Sequence, residues 1–467
     1  MIKDVSEHID GHQLGSLKGS SKTYCLLNLI HNWLSELDNP GCYLKACFLD
    51  FSKVFDRIDH TIYIRKLIDL GVCHYIIPWI CSFLTDRLQC VRLGQTVSNW
   101  LLVCAGVPQA TKLGSILCVI MNNNLKLASP RCSYWKYVVD ITISEFAAAC
   151  GLSILQSELD NISTWAATNN EVLNPKKCKE MTLRFRRVVD RLPSALAIDR
   201  KALESVDAHK VLGVTIQSNL KWDLHINDVV ARASKRLHFL HVLKHGRVPP
   251  ANLLKVYFGL FRSVLEYCYP VWHNALPVKP SDSIERGQKL VPSIIFPALH
   301  YQEALATTGC VSLHARIMEL CSKLFTKINE PKSRLCHLVP LTWWQVHGPS
   351  LRNKDRPSLI SCKTERFKVY MTDFFICSIK SPQCADKCSK KIFRSDFPFP
   401  VFWCAKSVKF HFRWGTKPRH QKQETGNDCD VNSGLQASRK TDFSVIFLLW
   451  ANQFAKKWYN SAFFMRK

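Results

Sequence analysis

One segment organises this chain: Cys47-Phe48-Leu49-Asp50-Phe51-Ser52-Lys53-Val54-Phe55-Asp56-Arg57-Ile58-Asp59-His60. The residues from Leu44 to Leu49 are mostly apolar, which predicts a short buried strand. Beyond Asp50 the apolar side chains follow a helical spacing, at Val54, Ile58, Ile62, Leu67 and Leu70. Asp50 is therefore placed at the end of a strand, where α/β architectures bind ligands and a carboxylate can hold a divalent cation. The alternative is that Asp50 only caps the following helix.

The composition points to an acidic polymer as the partner. A length of 467 residues suggests about two to four compact domains. Lys and Arg total 63 while Asp and Glu total 37, so the formal net charge is +26. Because Lys and Arg neutralise phosphates and release condensed counterions, nucleic acid is the natural partner. A basic protein without such a partner is the alternative.

Cysteine usage and hydropathy bear on the compartment. The 21 cysteines are scattered along the chain, and the first residues carry no secretory signal. We therefore expect reduced thiols in a protein of the nucleus or cytoplasm. No apolar run reaches the ~18–20 residues of a membrane span, so we expect no transmembrane segment and no membrane partner.

Four later motifs carry the glycine, carboxylate and lysine residues of interest. They are Ala105-Gly106-Val107-Pro108-Gln109-Ala110, Lys136-Tyr137-Val138-Val139-Asp140, Leu173-Asn174-Pro175-Lys176-Lys177-Cys178-Lys179 and His209-Lys210-Val211-Leu212-Gly213-Val214. Glycine lets a ligand approach the backbone closely, and the Gln109 amide offers both donors and acceptors. A further segment, from Ser82 to Gly94, predicts a helix end followed by an alternating strand that carries Arg87.

Taken in order, these motifs resemble the sequence boxes of reverse transcriptases, in the version found in LINE-like non-LTR retrotransposons. The first is similar to the family's Asp-Phe-Ser-Lys-Ala-Phe-Asp-x-(Ile/Val)-Asp-His, with Val54 in place of the Ala. The resemblance implies an α+β right-hand polymerase of fingers, palm and thumb. We expect an antiparallel palm sheet with helices packed on one face, a helical thumb and an irregular C-terminal tail.

The resemblance also implies the catalytic groups. Asp50 and Asp140 correspond to the catalytic carboxylates that bind metal, and two Mg²⁺ ions are expected for the family. Lys177 corresponds to the residue that protonates the departing pyrophosphate. The alternative for Lys177 is one lysine among several in a basic turn.

Further positions match the family's contacts with nucleotide, template and primer. The residues implied to bind nucleotide and template are Phe55, Arg87, Gly106, Gln109 and Ala110. Phe55 corresponds to the residue that crowds the sugar 2′ position and selects deoxynucleotides. The loop from Gln13 to Ser21 resembles the fingers segment that contacts template and incoming nucleotide, and Leu212-Gly213 resembles the turn of the primer grip.

Two positions depart from the family pattern. Relatives have Tyr-Val-Asp-Asp where this chain has Tyr137-Val138-Val139-Asp140, so Val139 stands where a metal-binding Asp is expected. Ala110 replaces a glycine, and if that glycine has positive φ, the added Cβ is destabilising. We expect these changes to leave very weak DNA synthesis or none.

The resemblance also implies a division of the chain into five parts. They are 1–45 (partial fingers), 46–218 (palm with inserted fingers elements), 219–345 (helical thumb and connection), 346–379 (end of the family-like region) and 380–467 (an unrelated, poorly folded tail).

The predicted function is RNA-directed DNA polymerase, by two-metal nucleotidyl transfer onto a primer 3′-hydroxyl and impaired in this copy. Its partners would be an RNA template, a DNA primer or RNA–DNA hybrid, and deoxynucleoside triphosphates. One alternative is a non-catalytic remnant that still binds nucleic acid. Another is an unfolded product, which would show neither activity nor cooperative unfolding.

Overall fold

A five-stranded sheet lies at the centre of the described part of the chain. The computed structural model describes residues 8–39, 41–109, 111–148, 151–185, 194–273, 276, 278–339 and 362–370. The strands are β1 (Cys42–Leu49), β2 (Arg87–Gln89), β3 (Arg92–Leu93), β4 (Thr96–Val97), β5 (Leu101–Val103), β6 (Cys132–Tyr137), β7 (Asp140–Ala148), β8 (Lys179–Leu183), β9 (Ala197–Ile198), β10 (Lys201–Ala202), β11 (Glu204–Ser205), β12 (Ala208–Val211) and β13 (Val214–Gln217). The main sheet has the order β11-β8-β1-β7-β6. Its neighbours are antiparallel except for β8 and β11, which are parallel.

Helices surround this sheet and make up the region after β13. The α-helices are α1 (Lys22–Leu37), α2 (Val54–Arg57), α3 (His60–Asp69), α4 (Ile76–Leu84), α5 (Lys112–Met121), α6 (Leu155–Thr168), α7 (Asp223–His245), α8 (Pro250–Val256), α9 (Ser263–Leu265), α10 (Tyr269–Trp272), α11 (Val278–Ile295), α12 (Tyr301–Thr308) and α13 (Leu313–Ile328). Among them, α6, α8 and α11 contain Leu155, Leu253 and Ser283, respectively.

Strand β1 is buried on both faces. Leu44 and Phe48 point toward α1 and the C-terminal helices, whereas Cys47 and Leu49 point toward α6. The predicted buried strand is confirmed, but the prediction that helices pack on one face is wrong. The reason is the composition of β1. Successive side chains of a strand point to opposite faces of the sheet, and β1 carries apolar side chains on both, so helices must shield both faces from water.

Two helix starts follow the capping residues in the sequence. The Ser21 hydroxyl accepts the N–H of Tyr24 and begins α1. The helical spacing after Asp50 is divided into α2 and α3, because Asp59 caps the second helix. Its carboxylate accepts the N–H groups of Thr61 and Ile62 at 2.8 and 3.1 Å. Asp59 is therefore a capping group.

The C-terminal helices share one core with the sheet. Helix α7 spans 23 residues and is followed by α8, a π-helical segment Tyr257–Arg262 and α9. The helical run from Pro250 to Leu265 therefore contains a π-helical interruption. Buried side chains from α1, the sheet and these helices form one continuous cluster, which Phe367 and Tyr370 also join.

The predicted α+β class is confirmed. No helix in the described ranges is both long enough and apolar enough to cross a membrane. The predictions for Ala110, for the tail 380–467 and for most of 346–379 fall on residues outside those that the structure describes.

Candidate active site

The two candidate carboxylates meet at one end of the central sheet. Strands β1 and β7 are antiparallel, with Leu49 opposite Ile141. One further step in this register places Asp50 opposite Asp140. Residues 90 positions apart are thus brought together by strand pairing alone.

A tight hairpin presents Asp140. Tyr137 ends β6 and pairs with Asp140 at the start of β7, so Val138 and Val139 form the turn between them. Val138 has a φ of +60°, which is rare for a β-branched residue. Val139 is half-buried and packs against the cores beneath α6 and around α3–α5.

Asp50 has an oxygen that no protein donor satisfies. Its Oδ2 is buried and accepts no hydrogen bond within the described ranges. Lys177 lies close to this oxygen: its Nζ is 3.5 Å from Oδ2, and its side chain is 61% exposed. The backbone is fixed more firmly, since the N–H of Asn174 donates to the Asp50 carbonyl at 2.8 Å. The site thus joins Asp50 to the turn that carries Lys177.

Asp140 titrates above its ordinary range. Although the residue reaches solvent, protein atoms crowd its carboxylate, and this burial raises its pKa. The Lys22 ammonium opposes the rise, and the Asp50 carboxylate adds to it. Two carboxylates facing each other favour either a proton or a cation between them.

The donor set suits one divalent cation better than two. The unsatisfied oxygen of Asp50 and the adjacent Asp140 are hard oxygen ligands of the kind that Mg²⁺ binds. Val139 adds none. Within the described ranges, no group of three or more Asp, Glu, His or Cys side chains is arranged to hold a metal.

Arg87 and Gly106 hold the candidate nucleotide loop together. The Arg87 guanidinium donates to the carbonyl oxygens of Leu84 and Gly106, at 3.0 and 2.6 Å. Gly106 is buried with a φ of +79°, and a Cβ there would lie 2.5 Å from the carbonyl oxygen of Phe55. The close backbone approach that needs this glycine is therefore to the chain itself.

The remaining nucleotide-site candidates lie near the same loop. The Gln109 side-chain amide is exposed and donates to the Asp56 carboxylate at 3.0 Å. Phe55 is half-buried and packs on the core around α3–α5. The structure brings both beside the Gly106 loop, and Ala110 lies outside the described residues.

The candidate primer-grip turn rests on a tyrosine from the helical region. Leu212 and Gly213 join β12 to β13 with φ angles of +48° and +91°, as in a type I′ hairpin. The Tyr267 hydroxyl donates to the Leu212 carbonyl at 2.5 Å. Its ring lies so close that a Cβ on Gly213 would be 3.1 Å away.

Reasoning from sequence missed two supporting residues. Tyr267 was visible only as part of a helix, and Gln13, whose amide contacts the backbone of Val138, only as part of a loop. The signal for Gln13 was its place two residues before Gly15, which also lies against that turn.

Sequence comparison matches residues 1–216 to the family model "Reverse transcriptase (RNA-dependent DNA polymerase)". The chain is 24% identical over 342 residues to the probable RNA-directed DNA polymerase from transposon X-element of Drosophila melanogaster, covering 69% of this chain and 35% of that protein. It is 24% identical over 281 residues to the RNA-directed DNA polymerase from mobile element jockey of the same organism, covering 57% and 29%. The chain thus spans about a third of the length of these curated relatives.

Solved structures were also compared. Apo telomerase from Candida tropicalis aligns with a TM-score of 0.37 at 13% identity, covering 72% of this chain and 54% of that one. Telomerase from Candida albicans in complex with a fragment of telomeric RNA gives a TM-score of 0.36 at 12% identity, covering 67% and 56%.

The sequence match and the observed architecture agree. The matched region contains the central sheet and the carboxylates of Asp50 and Asp140. It also contains β12 and all but the last residue of β13, which together form a hairpin. The predicted right-hand polymerase fold is thereby confirmed. Residues 1–216 thus match the reverse transcriptase family model, and the similarity to RNA-directed DNA polymerases of Drosophila transposons supports a LINE-like reverse transcriptase of the non-LTR type.

Proposed function

We propose that this chain is a retrotransposon reverse transcriptase domain that still binds primer and template but is impaired in nucleotidyl transfer. The observation that carries the proposal is the hairpin at Tyr137–Asp140, which brings one carboxylate to Asp50 where the family motif has two. In this proposal, residues 46–218 are the palm and 219–345 the thumb and connection.

The metal requirement explains the impairment. Bound Mg²⁺ ions would supply charge compensation and a Lewis acid for the primer hydroxyl. Asp50 and Asp140 provide two negative charges where the family motif would provide three to hold the pair of dications. Even removing a group that only orients a metal ligand typically lowers affinity or activity ~10–100-fold. Replacing a ligand itself by Val139 should lower activity at least as much.

Two other residues of the site keep their proposed roles although the carboxylate at position 139 is missing. Lys177 sits at the mouth of the site, exposed and 3.5 Å from Asp50, where an ammonium can reach a leaving phosphate. In this proposal Phe55, which lies beside the Gly106 loop, would crowd the sugar 2′ position of the incoming nucleotide. These groups position and protonate a substrate, and neither replaces the missing carboxylate.

The proposed partners are an RNA template, a DNA primer or hybrid, and deoxynucleoside triphosphates. Support comes from the +26 charge and from the exposed basic side chains along and beside α7, which include Lys235 and Arg247. The primer-grip turn Leu212-Gly213 is ordered by Tyr267, independently of the metal site. Binding can therefore persist where chemistry fails.

The second candidate is a binding protein with no chemistry at all. It is favoured by the same combination of an extensive core and an incomplete carboxylate set. The two candidates differ only in whether restoring the carboxylate restores synthesis.

The deciding experiment is single-nucleotide extension of a DNA primer on an RNA template by wild type and by Val139→Asp. We expect extension by the variant to exceed that by wild type at least ~10–100-fold, because the lost ligand returns. Val138→Asp is the matched control, since it makes the same change one residue earlier in the turn. It should leave extension at the wild-type level.

Primer–template binding is measured alongside by fluorescence anisotropy. Equal binding by all three proteins, with extension only by Val139→Asp, supports the proposal. Wild-type extension as fast as that of the variant, and abolished by Asp50→Ala, contradicts it. Binding without extension by any protein favours the second candidate.

A further inference from the structure

The turn of the Asp140 hairpin is held by a side chain from 125 residues earlier. Gln13 is only 1% exposed. Its Oε1 accepts the N–H of Val138 at 2.9 Å, and its Nε2 donates to the Val138 carbonyl at 3.3 Å. A single amide thus binds both backbone groups of the first turn residue. Within the described ranges the Val138 N–H has no other acceptor.

The backbone around Gln13 is fastened to the same strand. The N–H of Leu14 donates to the Lys136 carbonyl at 2.8 Å, and the N–H of Lys136 donates to the His12 carbonyl at 3.0 Å. We call residues 12–15 the support segment. A Cβ on Gly15 would overlap the backbone nitrogen of Val138, so only glycine lets the segment lie this close. The Gln13 amide also receives the N–H of Gly15 at 2.8 Å, which fixes its orientation.

The held conformation is an unfavourable one. Val138 is β-branched and has a φ of +60°, so the turn would relax if its backbone contacts were lost. Asn122 also donates to the Val138 carbonyl, at 3.3 Å, but it does not engage the N–H. Because the turn residues precede Asp140 directly, their conformation sets where positions 139 and 140 stand relative to Asp50.

We infer that Gln13 is a positioning residue for the catalytic hairpin: it holds the Val138 backbone so that positions 139 and 140 face Asp50. The inference rests on the proposed function, because it takes this hairpin as the site of chemistry. The inference also assigns the support segment a structural role, the support of the hairpin. Its resemblance to the fingers loop had implied a different role, contact with template and nucleotide.

The first test does not depend on activity. Hydrogen-exchange mass spectrometry compares peptides covering the Val138 turn in wild type, Gln13→Leu and Gln288→Leu. Gln288 is the matched control because it is equally buried and donates to Tyr301 and Val311 in the helical region. We expect exchange at the turn to rise roughly five- to tenfold in Gln13→Leu and to stay unchanged in Gln288→Leu.

A conservative replacement separates positioning from general packing. Gln13→Glu keeps an oxygen that accepts the Val138 N–H, so exchange should return to within about twofold of wild type. If Gln13→Leu loses cooperative unfolding, Gln13→Asn carries the test, because it keeps an amide that is too short to reach. Exchange at the turn should rise in that variant too.

The second test uses the Val139→Asp background. Adding Gln13→Leu should lower kcat about tenfold or more while KM for primer–template stays unchanged, because the hairpin is displaced and the binding surface is not. Adding Gln288→Leu should change neither constant.

The outcomes keep the two proposals apart. Unchanged exchange at the turn in Gln13→Leu, or an equal rise in Gln288→Leu, overturns the positioning role. A fall in kcat of the same size with both glutamine variants also overturns it. Failure of Val139→Asp to extend any primer contradicts the proposed function alone, and the exchange comparison then still decides the role of Gln13.

Discussion

Glu171 shows what burial does to a single carboxylate near the site. It is 3% exposed, and neither of its oxygens accepts a hydrogen bond within the described ranges. Burial raises its pKa from the ordinary 4.5 to about 7, although the cations of Arg57 and Lys66 oppose the rise. Its backbone lies in the turn after α6, directly before the residues that pair with the loop following Asp50.

This carboxylate predicts a pH dependence of stability. Because the folded pKa exceeds the unfolded one, the folded state binds the proton more tightly between pH 4.5 and about 7. The folded state should therefore lose up to about 3 kcal/mol as pH rises through this window. We expect Glu171→Gln to unfold at higher urea concentration than wild type above pH 7 and to match it near pH 4.5.

Urea unfolding at several pH values measures the effect. Glu365→Gln is the control, because that side chain is 79% exposed and the same change should leave stability nearly unaltered at every pH. A stability difference for Glu171→Gln that does not vary with pH would show that the carboxylate is not protonated in the folded state.

At the scale of elements, β1 and β8 are joined by a buried ion pair. Lys45 Nζ lies 3.2 Å from Glu180 Oε2, and the two side chains are 1% and 6% exposed. Lys45 also donates to the Ser194 carbonyl at 2.5 Å, and Glu180 accepts the N–H of Leu196 at 2.8 Å. The pair therefore fixes the chain after β8 against β1, the strand that directly precedes Asp50.

Breaking this pair from one side should be severe. Lys45→Met leaves the Glu180 charge buried and uncompensated, which should cost about 3–5 kcal/mol of unfolding free energy. Lys45→Met combined with Glu180→Gln should recover most of the loss, because the amide still accepts the Leu196 N–H. Lys323→Met, at an exposed pair with Glu319, should leave the unfolding free energy nearly unchanged. Equal losses for the single and double variants would argue against the buried charge as the cause.

The hairpin of β12 and β13 and the helical region are joined by the Tyr267 hydroxyl. Tyr267→Phe keeps the ring under Gly213 but removes the hydrogen bond to Leu212, so stability should fall by about 1 kcal/mol. Tyr63→Phe is the matched control, since that hydroxyl is buried with no hydrogen-bond partner within the described ranges. Its removal should be neutral or slightly stabilising. Urea unfolding distinguishes the two, and equal effects would contradict the assigned contact.

At the scale of the whole molecule, the excess positive charge sets the response to salt. Primer–template affinity should fall linearly with the logarithm of salt concentration, with a slope of about −0.9 for each phosphate contacted on duplex. Replacing both exposed basic residues Lys235 and Arg247 with Gln should reduce the slope by about 1–2. The same change at Lys201 and Lys332, which lie on other elements, is the control. A slope unaffected by the first pair would remove α7 from the binding surface.

The sequence by itself determined everything that depends on neighbours along the chain. The apolar run before Asp50 gave a buried strand, Ser21 and Asp59 gave helix starts, and the order of the motifs gave the family. The substitution at Val139 was also visible without a structure. The buried strand and the helix starts follow from periodicity and capping, which act over a few residues.

Only the tertiary structure decided which distant residues meet. The β1–β7 register places Asp50 opposite Asp140, and Gln13 reaches Val138 across 125 residues. Helices cover both faces of the sheet. The apolar pattern of β1 is compatible with this arrangement, but the sequence led us to predict helices on one face only. Such contacts depend on the path of the chain and on the packing of complete elements, and a local pattern carries neither.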